Sequence, residues 1–259
     1  MVWPPREPED ATLVPYLNLA AITFGIDNNF LGERTAAEQD LRRLQTSGWI
    51  TLQRSDAVAT EQAKSPSGDP GAPARGNEMA DYPEAMGPLV LGFSRLGSSV
   101  LASTEEGGIF ENLKQTLRPN SNVRQSDVFD AMHLLTAARY GVRAFLTRDK
   151  NLLKRGDPIR TALGPTWGPT FNVWTPERAL HQSVAAVRGL RAMAISEGFW
   201  LPTYPSDGEI QRLGAEASSE PCPPGSSADL TGFIPRPDLT PSLHSWDGER
   251  PQDDSSLLP

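Results

Sequence analysis

Five acids of this chain are placed where they could act together. Asp27 closes the apolar run NLAAITFGID (18–27) and Asp149 follows VRAFLT (142–147), so each stands directly after a predicted strand. In an open parallel sheet, ligands bind in the crevice beyond the carboxyl ends of the strands. Two acids that look like turn residues in isolation would then face each other across one crevice. Asp127 and Asp130 lie three apart in SDVFDAMHLLTAARYG (126–141) and share the first turns of a predicted helix, where the backbone dipole favours negative charge. Asp130 sits among Phe129, Ala131 and Met132 and is expected to be partly buried. A buried carboxylate needs a partner, and a cation is one of the few that serve. Carboxylates are hard oxygen donors of the kind magnesium and manganese take. Glu61, on a short predicted helix, is the least distinctive of the five.

Each acid also has a plainer explanation. Asp149 can cap the helix that starts at Asn151 or Leu152, and an acid in a first helical turn, such as Asp127, is commonplace. The cations around Asp149 can simply solvate a surface. His133 reads as a packed helix residue, and neither His181 nor His244 forms a metal-ligand spacing with it.

The elements that must hold these residues alternate. A strand ending at Asp27 is followed by a helix over ERTAAEQDLRRLQTSG (33–48), with Ala37, Leu41 and Leu44 at helical spacing, and by a strand at WITLQ (49–53). Ser55 and Asp56 are positioned to cap a short helix that carries Glu61. Residues 65–88 are rich in proline and glycine and are expected to form a flexible insertion. A capped helix is predicted over 104–117, with Ile109, Leu113 and Leu117 on one side. The helix over 126–141 is expected to be capped by Ser126 and ended by Gly141. Strands at 142–147 and 171–175 follow, then a helix from Thr175-Pro176 to Gly198. The order implies an α/β layer fold over residues 18–200, with an N-terminal extension at 1–17 and a largely irregular tail at 201–259.

Composition fits this division. A hydrophobic share of 38% with 24 prolines and 22 glycines concentrates the core in part of the 259 residues. The single Cys222 excludes an intramolecular disulfide framework, so a reducing cytoplasm is expected. No apolar stretch approaches the length of a membrane span, and the N-terminus has no signal-peptide pattern, so a soluble chain without membrane partners is expected. The net charge of −8 belongs mostly to the tail, where ten acids face three bases. Between Arg124 and Arg160 the balance reverses to eight bases against four acids, a local cationic surface around Asp149.

Taken in order, GIDNNFL (25–31), SDAVATEQ (55–62), SDVFDAMHLLTAARYG (126–141), FLTRDKNLL (145–153) and VWTPERAL (173–180) resemble the successive motifs of the PIN domain. The resemblance spans about residues 18–198, outside the 65–88 insertion. It implies a three-layer α/β/α fold around a central parallel sheet, and an acid cluster that binds Mg2+ or Mn2+ to cut RNA. The family's first acid, with an asparagine two residues on, matches Asp27 and Asn29. Its helical glutamate matches Glu61, its D-A-x-x-L-x-x-A acid matches Asp130, and its acid after T-x matches Asp149.

On that resemblance the expected metal ligands and catalytic residues are Asp27, Glu61, Asp130 and Asp149, with Asp127 as a further ligand and Asn29 orienting a carboxylate from behind. Arg148 and Lys150 are expected to hold RNA phosphates, with Lys154, Arg155, Arg139 and Arg143 extending the track. The resemblance also allows a homodimer and an antitoxin-like protein partner. A module that binds RNA or protein without cutting, or one inhibited by its own acidic tail, is the competing expectation.

Overall fold

A computed structural model describes residues 22–32, 35–64, 76, 78–94, 99–119, 121–196 and 204–218, all within the unit Met1–Pro221. The predicted 1–17 extension, residues 18–21 and the tail beyond 218 lie outside the described residues.

Five strands form one sheet in the order β3-β2-β1-β4-β5, and every pairing is parallel. They are β1 (Ile22–Ile26), β2 (Ile50–Ser55), β3 (Glu84–Ala85), β4 (Ala144–Leu146) and β5 (Val173–Trp174). Parallel neighbours require crossovers, and helices supply them on both faces. Against one face lie α1 (Ala36–Thr46), α8 (Pro176–Ser196) and α9 (Asp207–Ser218), where Phe24, Ile26 and Leu52 of the sheet meet Leu41, Leu44, Val184 and Leu213. Against the other lie α3 (Thr104–Leu117), α4 (Gln125–Arg139) and α6 (Gly156–Ala162), where Phe145 meets Leu113, Met132, Leu134 and Ile159. The remaining helices α2 (Ala57–Ala63), α5 (Lys150–Lys154) and α7 (Gly164–Trp167) are short.

Local chemistry explains most boundaries. Thr35 caps α1 and Ser103 caps α3, each through a capping box closed by the glutamate three residues on. Gly141 takes φ +64° just after α4 and lets the chain leave the helix. Gly25 has a different purpose. A Cβ there would stand 3.0 Å from the Ala137 side chain and 3.2 Å from the Phe145 ring, so the glycine lets α4 approach β1 closely.

Four expectations are corrected. Ser126 does not cap α4; Arg124 holds the N-cap position and its backbone N–H donates to the Asp127 carboxylate. Nor does Ser55 cap α2, because it is the last residue of β2, and Asp56 instead accepts bonds from the Gly87 N–H and the Ser99 hydroxyl. The second half of the 65–88 segment belongs to the fold. Tyr82 is buried, and the sheet gains β3 from Glu84–Ala85, with Arg54 paired to Glu84. A two-residue strand is too short for alternation to be visible in sequence.

The fold also runs past residue 200. Ile210 and Leu213 of α9 enter the core, Arg212 pairs with Asp40, and the Trp49 indole donates to the Tyr204 carbonyl at 2.8 Å. Among the described residues no helix is long and apolar enough to cross a membrane.

Candidate functional site

The carboxyl edge of the sheet gathers acids from four elements. Asp27 follows β1, Asp149 follows β4, Glu61 rides on α2, and Asp130 rides on α4. The neighbouring positions of β1 and β4, with Ile26 opposite Leu146, put Asp27 and Asp149 on the same edge. Asp27 is nearly sealed at 6% exposure, while Asp130 and Asp149 are partly open.

Thr147 is the hub of this edge. It is fully buried, and its hydroxyl donates to Asp27 Oδ2 at 2.6 Å. Thr147 Oγ1 in turn accepts from Asn29 Nδ2 at 3.2 Å and from the Asp149 N–H at 3.0 Å. One hydroxyl therefore fixes the carboxylate of Asp27, the side chain of Asn29 and the backbone of Asp149. Asp149 Oδ1 accepts from the Asn151 N–H at 2.7 Å, so the residue does cap α5. Its Oδ2 has no bonded partner among the described residues.

Glu61 is reached from the opposite direction. His133, buried beneath it on α4, stands with Nε2 3.1 Å from Glu61 Oε2 and Nδ1 2.6 Å from the Ser55 hydroxyl. The imidazole lies nearly parallel to the Phe145 ring, with centroids 6.3 Å apart.

The electrostatics follow from burial without arginine. Burial raises the Asp130 carboxyl to about 8, reinforced by the charge of Asp27 and, less strongly, of Glu61 and Asp149, while His133 opposes the rise. Burial likewise raises Asp27 above the usual carboxylate range, with His133 and the Thr147 bond acting against it. For His133, burial favours the neutral ring, but the bond and charge of Glu61, with Asp27 and Asp130, reverse the balance and raise its pKa. Among the described residues no hydrogen bond or ion pair reaches the Asp130 carboxylate. As placed, no three His, Cys, Asp or Glu side chains among the described residues form a ready metal cage.

The donor chemistry still suits a hard divalent cation: four carboxylates lie along one edge, and burial makes two of them hold their protons tightly.

The remaining predicted residues divide sharply. Asp127 does not join the cluster; its Oδ2 accepts from the Arg124 N–H at 2.7 Å and from Arg118 Nε at 3.2 Å. Arg148 reaches the Asn29 carbonyl and sits 3.3 Å from the buried Glu38 carboxylate, so it braces the loop after β1. Arg155 donates to the Thr116 carbonyl near the end of α3. Arg139 pairs with Glu106 at 3.3 Å, at the far end of α4 from Asp130. Arg143 precedes β4 and its N–H donates to the Thr23 carbonyl, which places it at the amino edge of the sheet, on the order of 10 Å from the acids. Helix direction and strand direction carry both arginines away from a site they adjoin in sequence. Lys150 and Lys154 are exposed on α5, beside Asp149.

The sequence pattern points to Ser55 as a helix cap and to His133 as packing, and does not single out Glu38. The T-A-A-E capping box could have flagged Glu38 as fixed in place. Nothing local marks Ser55 as a partner of His133, 78 residues away. No protein-family model, curated protein or solved structure matches this chain.

Proposed function

We propose that this chain is a PIN-like, metal-dependent endoribonuclease that hydrolyses RNA phosphodiester bonds. The observation that carries the reading is the meeting of Asp27, Glu61, Asp130 and Asp149 from four separate elements at the carboxyl edge of a parallel sheet, with Asp130 lacking a cationic partner among the described residues. Asp40 and Asp127, by contrast, are each paired with an arginine.

In this reading Asp27, Glu61, Asp130 and Asp149 hold Mg2+ or Mn2+. When bound, such an ion supplies a lowered pKa for an attacking water and positive charge against the departing oxygen. Loading the site would displace the proton of the Asp130 carboxyl, and Thr147 would keep the Asp27 carboxylate fixed through Oδ2. Lys150 and Lys154 hold the phosphates of a strand lying over the edge, while Arg148 keeps the Asn29 loop in place. Single-stranded RNA, with its backbone accessible, is the substrate class that an open edge of this kind admits.

The test is cleavage of labelled single-stranded RNA with Mn2+, with Mg2+ and with chelator, comparing wild type with Asp27→Asn and Asp149→Asn. Metal-dependent cutting lost at least about a hundredfold in both variants is expected. Cutting that survives both substitutions, or that persists in chelator, overturns the proposal. RNA binding with no cutting in any metal would favour a binding module.

A further inference from the structure

His133 is buried, aromatic and polar at both ring nitrogens, and the reaction outlined above gives it no task. Its Nδ1 is 2.6 Å from the hydroxyl of Ser55, the last residue of β2 and itself buried. Its Nε2 is 3.1 Å from Glu61 Oε2, and its ring stacks on Phe145 at an interplanar angle of 16°. We propose that Ser55 and His133 form a relay from the sheet that positions the Glu61 carboxylate at the acidic edge, with His133 a positioning residue that touches neither substrate nor reacting atoms. This rests on reading that edge as a metal site.

The hydrogen-bond arithmetic has few solutions. An ionised carboxylate only accepts, so Nε2 must carry the proton shared with Glu61. A serine hydroxyl either donates or accepts, so it satisfies Nδ1 whichever way that atom is protonated. Asp27 has Thr147, Asp149 is tied through its cap, and Asp130 is short and set in a long helix. Glu61 has a longer side chain on a seven-residue helix and is 26% exposed, so holding it inward costs side-chain entropy that a fixed imidazole reduces. β2 is a rigid origin for the relay, because it is paired on both sides. Polar groups that orient a ligating carboxylate typically affect metal affinity by about 10–100-fold.

The experiment follows Mn2+ binding to the full chain by the electron-spin-resonance signal of free Mn2+. The variants are Ser55→Ala, His133→Phe, their double, Glu61→Gln, and His133→Phe combined with Glu61→Gln. Phenylalanine keeps the ring stacked on Phe145, and Ser55→Ala removes a single oxygen, so the second reports even if the first folds poorly. His133→Phe should weaken binding about tenfold and Ser55→Ala about threefold, the lower part of the range for such groups. The double variant should be no worse than His133→Phe alone, and His133→Phe should add nothing once Glu61 is glutamine, because all three act through one path. In the metal-free protein, the 15N resonances of the His133 ring should move at Nδ1 in Ser55→Ala and at Nε2 in Glu61→Gln. Additive losses, or unchanged binding in Ser55→Ala and His133→Phe beside a wild type that binds Mn2+, overturn the relay and leave the metal site standing. A wild type that binds no Mn2+ overturns the metal site and the relay with it.

Discussion

Two regions of this protein that hold shielded carboxylates treat them in opposite ways. On the outer face of α1, Asp40 is 6% exposed and answered on every side: Arg212 reaches both its oxygens at 3.1 and 3.2 Å, Arg43 is 3.7 Å away, and the Tyr204 hydroxyl donates at 3.2 Å. Burial and the Asp40 charge push the Tyr204 phenol up to about 12, so it remains a donor across the whole working range of pH. At the carboxyl edge of the sheet, Asp27 is buried and Asp130 half-buried beside other acids, with His133 as the positive influence in their surroundings. Burial of an acid is therefore uninformative by itself. What separates Asp40 from the acids of the sheet edge is that the chain brings arginine to the one and not to the others.

The largest effect that could break this contrast is a pair of substitutions with crossed outcomes. Asp130→Asn should abolish metal-dependent cleavage by about a hundredfold or more without lowering the melting temperature. Asp40→Asn should leave cleavage within about twofold yet cost roughly 2 kcal/mol, or about 6 °C, because arginine bonds to a buried charge are lost. Cleavage assays and thermal melts on the two proteins check both arms; a fall in stability for Asp130→Asn would erase the distinction.

A second effect is the dependence on pH. The Asp130 carboxyl is raised from 3.8 to about 8, so the metal-free native state binds its proton more tightly than the unfolded chain. Its contribution to stability is full below about pH 4 and is lost as pH climbs towards 8. Melts of the metal-free protein should show Asp130→Asn gaining on wild type steadily across that interval. Mn2+ affinity should rise over the same interval, since loading releases the proton.

The smallest effect concerns the cations. Lys150→Ala with Lys154→Ala should weaken single-stranded RNA binding about tenfold at low salt and flatten the salt dependence by about 0.7 per phosphate contact. Arg139→Ala and Arg143→Ala should leave RNA affinity unchanged. Filter binding at several salt concentrations separates the two sets.

Much of this arrangement was legible in the chain itself. Apolar runs with β-branched and aromatic residues marked β1 and β4, and the acids that end them had to fall on the carboxyl edge once the strands were parallel. Helical spacing located α1 to within about three residues, and spacing with a cap signal located α3 at its observed bounds. These are local signals, set within a few residues by hydrogen-bond geometry and side-chain shape, and they need no distant partner.

Tertiary structure decided the rest, because the deciding partner was far away in sequence. Arg139 and Arg143 read as a continuation of the cationic run, but the directions of α4 and β4 carry them to the other edge. Asp127 and Asp130 share a helix face in sequence, yet one is taken by Arg118 and the other turns to the acids. Ser55 and His133, 78 residues apart, meet only because α4 packs across β2 and β1, closely enough to require Gly25. Residue type and local spacing thus determined which acids this protein could bring to the edge of its sheet, while long-range packing determined which of them found an arginine and which did not.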